Sequence, residues 1–384
     1  MIKQHLPKIT VTTFVIISFF ILFFMARQRP LDDTERDSHL EYNVARIINV
    51  ISDNTFFTNV DEQDSDSRLN DLRRGVIVYE VEILRGSFAG QVLEASYYMS
   101  SLAHVYFEVG DRVSVRIFEL GGEIVITEVR YPERTELLLG AIGLFLVFLC
   151  LVGGKKGMFA ALGLVFTVGC VIFLLIPLII SGYPVVPITL IILTLITIAS
   201  ITLLANVSVK GISAILGCLS GIGLAALFAF VAGGLIHVSG YNMVNYRSMM
   251  SVANGARVSG LFVSSVLVAA IGAIMDSSMS VASAMEEVKL ANSEISTMNL
   301  FKAGFNVSRD VMGTMSSTLI LAFIGGSLSM MIFMYTTNVS FNQFMNNDFI
   351  AMEIIKGIAG SFGIILAAPL TAFISAKLLT MKKG

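Results

Sequence analysis

Long uncharged apolar runs recur along the chain, separated by short charged or glycine-containing stretches. About 20 apolar residues in a helix cross the ~30 Å of hydrocarbon in a bilayer. The first run is Ile9 to Met25, between Lys8 and Arg27, and the second is Leu137 to Val152, ending at Gly153-Gly154-Lys155-Lys156. The stretch from Gly157 to Val209 carries no charge and is too long for one helix. Ser181-Gly182-Tyr183-Pro184 divides it, because Gly and Pro interrupt helices. Further runs cover about Ile212 to His237, Gly260 to Ser280, Met312 to Tyr335 and Gly357 to Ala376. The pattern predicts eight membrane-spanning helices.

Between the first two runs the period changes from helical to alternating. Tyr42 to Ile51, Gly75 to Leu84, Gln91 to Ser96, Arg112 to Phe118 and Glu123 to Val129 are rich in β-branched residues. In Val78-Tyr79-Glu80-Val81-Glu82-Ile83 apolar and polar positions alternate, as on a half-buried strand. Turns are expected at Arg85 to Gly90, Val109-Gly110-Asp111 and Gly121-Gly122. Five short strands in one small domain predict a barrel of the OB type. The acidic stretch Asp61 to Asp66 reads as a flexible loop. The expected fold class is an α-helical polytopic membrane protein with an inserted small β-barrel. Its parts are an anchor over 1–26, an acidic β domain over 27–136 and a seven-helix bundle over 137–384.

Composition agrees with the membrane class. Hydrophobic residues make up 55% of the chain, charged ones 14%, and mean hydropathy is +0.79. Soluble domains carry about 25% charged residues. Charge also orients the chain by the excess of cations on cytoplasmic loops. In an eight-span arrangement Lys3, Lys8, Lys155, Lys156, Lys210, Lys289, Lys302, Arg309, Lys377, Lys382 and Lys383 share one side, against Arg247, Arg257 and Lys356 on the other. Both termini are therefore expected in the cytoplasm, with 27–136 extracytoplasmic. Phe24 to Arg29 lacks a small-x-small cleavage site, so the first run reads as an uncleaved anchor. The β domain holds 21 Asp and Glu against 12 Arg and no Lys, which argues against binding nucleic acid.

Sites of chemistry are sparse. Cys150, Cys170 and Cys218 all fall in predicted spans and read as small core residues. His5 and His39 read as surface residues, His104 belongs to the barrel, and His237 ends a span. There is no phosphate loop, no H-E-x-x-H and no G-x-S-x-G, so no enzyme, cofactor or metal is expected. Asp276 is the exception, as the lone charged residue between Arg257 and Glu286. A carboxylate at membrane depth costs about 2.5 kcal/mol or more and normally has a role. Helical spacing puts Asp276, Ser280, Ser283 and Glu287 on one face, extended by Gly272. In the next run Asp310, Thr314 and Ser317 share a face, as do Arg309, Gly313 and Ser316. The candidate coupling site is thus Asp276, Ser280, Ser283, Arg309, Asp310, Thr314 and Ser317, with Arg309 near enough to Asp276 to pair with it. Met285 to Val307 is amphipathic and is expected to lie along the inner surface or to pack beneath the bundle. Gly217-Cys218-Leu219-Ser220-Gly221 and the Gly357, Gly360, Gly363 face read as helix-packing devices.

Gly272 to Ser283, Arg309 to Met315 and Thr318 to Ala322 resemble the YibE/F-like family of multi-spanning bacterial membrane proteins, as does the barrel segment Val81 to Gln91. That resemblance implies the fold, brings no activity, and implies a related membrane-protein partner or a second copy of the chain. The last three spans also resemble SecD/SecF protein-export subunits and resistance-nodulation-division permeases, in which a buried aspartate conducts protons. The matching positions are Asp276, then Glu286-Glu287, then Lys302 with Arg309, then Thr314 with Thr318. The chain departs from those families in span number and in its small exposed domain. The expected function is a transporter, or a subunit of an export-like complex, with an unknown substrate and coupling through Asp276. The rival is a non-transporting scaffold or sensor whose barrel binds a partner.

Overall fold

The structure, a computed structural model, describes residues 24, 38–57, 73–99, 105–120, 123–237 and 260–381. The first predicted span (save Phe24), the acidic loop, His5, His104, Arg247, Arg257, Lys382 and Lys383 lie outside them. The chain divides into two compact units, Asp32–Phe148 and Leu149–Gly384 with Met1–Leu31.

The first unit holds a closed five-stranded barrel in the order β1-β2-β3-β5-β4, of β1 (Ser38–Phe57), β2 (Arg73–Ile83), β3 (Val92–Met99), β4 (Arg112–Leu120) and β5 (Glu123–Pro132). All five predicted strands form. β1 is twice its predicted length because it serves two edges. Ser38 to Arg46 pairs antiparallel with β4 (Ser38↔Leu120), and Ala45 to Phe57 pairs antiparallel with β2 (Ala45↔Ile83). Register shifts after Ile47 and Val50 let the strand turn between the two edges. β2 and β3 are antiparallel (Gly75↔Met99), β4 and β5 antiparallel (Val115↔Val129), and one parallel pair, Ser96↔Glu128, closes the barrel.

Alternation puts one face of each strand inside. Ala45, Ile47, Ile77, Tyr79, Val81, Ile83, Val113, Val115 and Ile117 are at most 1% exposed. Tyr79, Tyr97 and Phe107 form an aromatic cluster with centroids 5.0 to 6.5 Å apart. The Tyr79 hydroxyl, dry inside the barrel, donates to the Phe107 carbonyl at 3.3 Å. Burial pushes the Tyr79 phenol up to about 12 and that of Tyr97 upward too. Outside, Glu128 accepts from Arg116 at 2.6 Å and Arg130 at 2.7 Å.

The rest is helical: α1 (Thr135–Cys170), a π-helical turn (Val171–Leu175), α2 (Ile176–Ile180), α3 (Val185–Ala205), α4 (Val209–Leu235), α5 (Leu261–Ala291), α6 (Thr297–Thr336), α7 (Phe341–Met345) and α8 (Asp348–Met381). Among the described residues six helical stretches are long and apolar enough to cross a membrane. The first, Thr135–Ile180, has 46 residues, about 69 Å at 1.5 Å per residue, more than twice the hydrocarbon thickness. Gly154 breaks it with φ 53° and ψ −136°, where the sequence separates its second and third runs. Ser181 to Pro184 separates α2 from α3, as the Gly-Pro pattern requires.

α5 and α6 run well past their apolar stretches. The segment Met285 to Val307 is not a separate helix. It completes α5, turns at Asn292 to Ser296, and begins α6, whose N-terminus is capped by Ser296 accepting from the Asn299 N–H at 3.3 Å. It does pack beneath the bundle, because Met285 and Leu300 join Ala368, Ala372 and Ala376 of α8 in one buried cluster.

The main core lies where α3, α4, α5 and α8 meet. Both glycine motifs act there as packing devices. A Cβ on Gly221 would sit 2.5 Å from Ala367 Cβ and 2.9 Å from the Gly363 carbonyl, and one on Gly363 would meet Ile274 and Ala225. Gly357 and Gly360 admit Phe323 and Leu319 of α6. Cys170 and Cys218 are fully buried in this core.

Candidate functional site

α5 carries the membrane-depth carboxylate. Its inward face is formed by Val266, Ala270, Ile274, Ser277, Val281 and Met285, all fully buried. The 3.6-residue period therefore turns Gly272, Asp276, Ser280 and Glu287 away from the core, and all four are exposed, with Ser283 half-buried. Ala269 continues the stripe upward. From Phe262 to Lys289 no large hydrophobic side chain of α5 is exposed. The other long helices differ. α1 exposes Leu144, Phe148 and Val165, α4 exposes Leu227, Phe230 and Val231, α6 exposes Leu321, Leu328 and Phe333, and α8 exposes Ile354, Ile358 and Phe373.

None of the hydrogen bonds or ion pairs among the described residues reaches the Asp276 carboxylate. The expected partner, Arg309, lies elsewhere: its guanidinium stacks on the Phe305 ring, 4.9 Å from the centroid. Gly304 of α6 abuts Met285 of α5. Continuing that antiparallel pairing brings Arg309 level with Ser280 and Gly313 level with Asp276. The two halves of the predicted constellation thus share a depth without an ion pair between them.

On α6, Asp310, Thr314 and Ser317 are exposed and share the predicted face. Their hydroxyls are turned back on their own helix. Thr314 Oγ1 donates to the Asp310 carbonyl at 3.1 Å, Ser317 Oγ to Gly313 at 2.8 Å, and Thr318 Oγ1 to Thr314 at 2.9 Å. Back-bonding of this kind satisfies a hydroxyl at membrane depth without a second helix. Asp276 has no such recourse, since an ionised carboxylate only accepts and the helix carbonyls it could reach do not donate.

Two ion pairs between described residues of the helices were not anticipated. Lys210 Nζ at the start of α4 meets Glu286 Oε2 near the end of α5 at 2.9 Å. On α8, Lys356 Nζ meets Glu353 Oε1 at 2.6 Å, with side chains only 14% and 17% exposed. The signal for the second was a Glu and a Lys three residues apart at the edge of an apolar run, which the sequence reading began at Gly357, just past them. Among the described residues no group of three His, Cys, Asp or Glu is placed to hold a metal ion.

No curated protein and no solved structure matches the chain significantly. The expected likeness to protein-export subunits therefore has no support beyond the residues that suggested it. One family model does match, over residues 141–381, and its description is YibE/F-like protein. That span takes in nearly all of α1, every later helix, the outward stripe of α5 and the hydroxyl-rich start of α6. With most of the chain and its whole helical bundle matched, this membrane protein belongs to the YibE/F-like family.

Proposed function

We propose that the protein is a transporter, or a subunit of an export-like complex, in which Asp276 responds to protons or cations. One observation carries the reading: the outward stripe of α5 offers Gly272, Asp276, Ser280, Ser283 and Glu287 and no large apolar side chain. Lipid-facing positions of a membrane helix are apolar, and a carboxylate against hydrocarbon costs about 2.5 kcal/mol or more. The stripe therefore faces water, or a neighbouring protein surface that hydrates or pairs with it. Small residues around the carboxylate leave room for water or for a closely packed helix. The excess of Lys and Arg on one side of the spans supports cytoplasmic termini and an extracytoplasmic barrel in a bacterial cell membrane. The strand order and the parallel closure between β3 and β5 support an OB-like barrel.

The test is ion flux. Full-length protein in liposomes is given a pH or cation gradient across the membrane, and dissipation is followed with an entrapped dye. Asp276→Asn keeps the shape and removes the charge, so flux falls to that of empty liposomes, while Asp276→Glu keeps a carboxylate and retains part of it. Unchanged flux in Asp276→Asn sinks the coupling role. The scaffold reading shares the stripe, with Asp276 paired dry against a partner. It gains if Asp276→Asn lowers only the yield of folded protein.

A further inference from the structure

We propose that the cleft between α6 and α8, away from the Asp276 stripe, binds lipophilic cations, with the Glu353 carboxylate as counter-charge and Lys356 as the built-in cation a ligand displaces. The two helices touch at Gly357, where a Cβ would lie 3.6 Å from the Phe323 ring, and the cleft opens from there toward the α6 C-terminus. Its deep end is a cavity of about 110 Å³ whose lining includes Phe323, Ser327, Met331, Glu353 and Gly357. Its mouth is a cavity of about 550 Å³ lined by Met331, Met334, Tyr335, Phe341 and Phe344, among others. Met331 lines both, so it stands between the two volumes.

The size of the mouth suits a small organic molecule. Its lining selects the chemistry. Methionine sulfur is polarizable and adapts to varied shapes, and aromatic faces attract cations. The sign of the ligand is set by which member of the ion pair faces the cavity. Glu353 lines the deep end and Lys356 lines neither cavity. A cation in the mouth that presents its charge toward the deep end is drawn to the carboxylate, whereas an anion meets like charge. Lys356 holds one carboxylate oxygen at 2.6 Å, which keeps the acid neutralised where a lone charge is expensive. A ligand cation takes over that task and frees the lysine.

The pair makes opposite predictions for its two members. Radiolabelled tetraphenylphosphonium is dialysed to equilibrium against the full chain in detergent, with tetraphenylborate, its anionic isostere, as competitor. Saturable binding of the cation is expected. Glu353→Gln weakens it about tenfold or more, as loss of a buried counter-charge does. Lys356→Met removes the internal competitor and tightens it several-fold. Met331→Trp fills the junction of the two cavities and weakens binding without touching a charge, which keeps the test open if Glu353→Gln does not fold. Unchanged binding in Glu353→Gln or Met331→Trp, weaker binding in Lys356→Met, or equal competition by tetraphenylborate overturns the proposal. Since the readout is binding, its failure and the failure of Asp276-dependent flux are distinct results.

Discussion

Gly221 and Gly223 sit two residues apart in α4, and a single methyl group should act on them in opposite directions. A Cβ at Gly221 would lie 2.5 Å from Ala367 Cβ, 2.9 Å from the Gly363 carbonyl oxygen and 3.0 Å from Ile274 Cγ2. Two of these atoms are backbone or Cβ, so relief requires α4 and α8 to move apart. Overpacking of this kind costs about 1–3 kcal/mol, and the rigid neighbours on α8 place the value high in that range. Ala gains about 1 kcal/mol over Gly in helix propensity, which leaves a net loss of about 1–2 kcal/mol. At Gly223 a Cβ meets nothing within 4 Å, so only the propensity gain remains. Gly221→Ala should therefore unfold at lower temperature than the parent protein in detergent and Gly223→Ala at the same or a higher one, the two differing by about 2–3 kcal/mol. Loss of the monodisperse gel-filtration peak after stepwise heating reads this out. Equal shifts in both variants would refute the close crossing of α4 and α8.

Other outcomes follow from the barrel, the topology and the hairpin beneath the bundle. With its folded-state pKa raised to about 12, Tyr79 keeps its proton in the fold while the unfolded chain loses it near pH 10, so stability is whole below about pH 10 and falls by about 1.4 kcal/mol per pH unit between the two values. In an alkaline titration of phenolate absorbance Tyr79 should ionise only near pH 12 and Tyr97 above its ordinary value, and ionisation of both near pH 10 would contradict a dry barrel core. Single cysteines at Asp64 and Lys383, in a chain lacking Cys150, Cys170 and Cys218, should react with an impermeant reagent in intact cells at residue 64 only, and the reverse pattern would invert the orientation. The half-buried Lys210–Glu286 pair should show a coupling of about 1 kcal/mol or less in a double-mutant cycle with Lys210→Met and Glu286→Gln, and a value of several kcal/mol would mean that it is far better shielded than its geometry implies.

Much of this architecture was legible because it repeats. Alternation in Val78 to Ile83 revealed a strand with one dry face, and runs of β-branched residues revealed its four neighbours. What alternation could not reveal was that β1 continues to Phe57, since a strand that changes partner and passes two register shifts loses its strict period. Apolar runs marked the membrane-length part of each helix but not its end. Glu286, Glu287 and Lys289 of α5 and Asn299, Lys302 and Asn306 of α6 are polar and still helical, because helix propensity and the packing of Met285 and Leu300 on α8 continue where the apolar stripe stops. The face that carries Asp276 followed from spacing alone. Its lack of a bond to Arg309 did not, because a cation at the right depth says nothing about its direction, and here Phe305 holds it. Glu353 escaped notice because a charge pair near a span end looks like solvated surface until the cavity beside it is known.

For Asp276 to act as proposed, the outward stripe of α5 must face protein or water and not lipid. Spin labels on single cysteines at Gly272, Ser280 and Ser283, compared with labels at Phe230 and Val231 of α4 in liposomes, report this through collision with oxygen, which concentrates in hydrocarbon, and with a water-soluble nickel chelate. The three stripe positions should show lower oxygen accessibility than Phe230 and Val231. Oxygen accessibility equal to theirs, with no contact with the chelate, would put Asp276 against lipid and contradict the account.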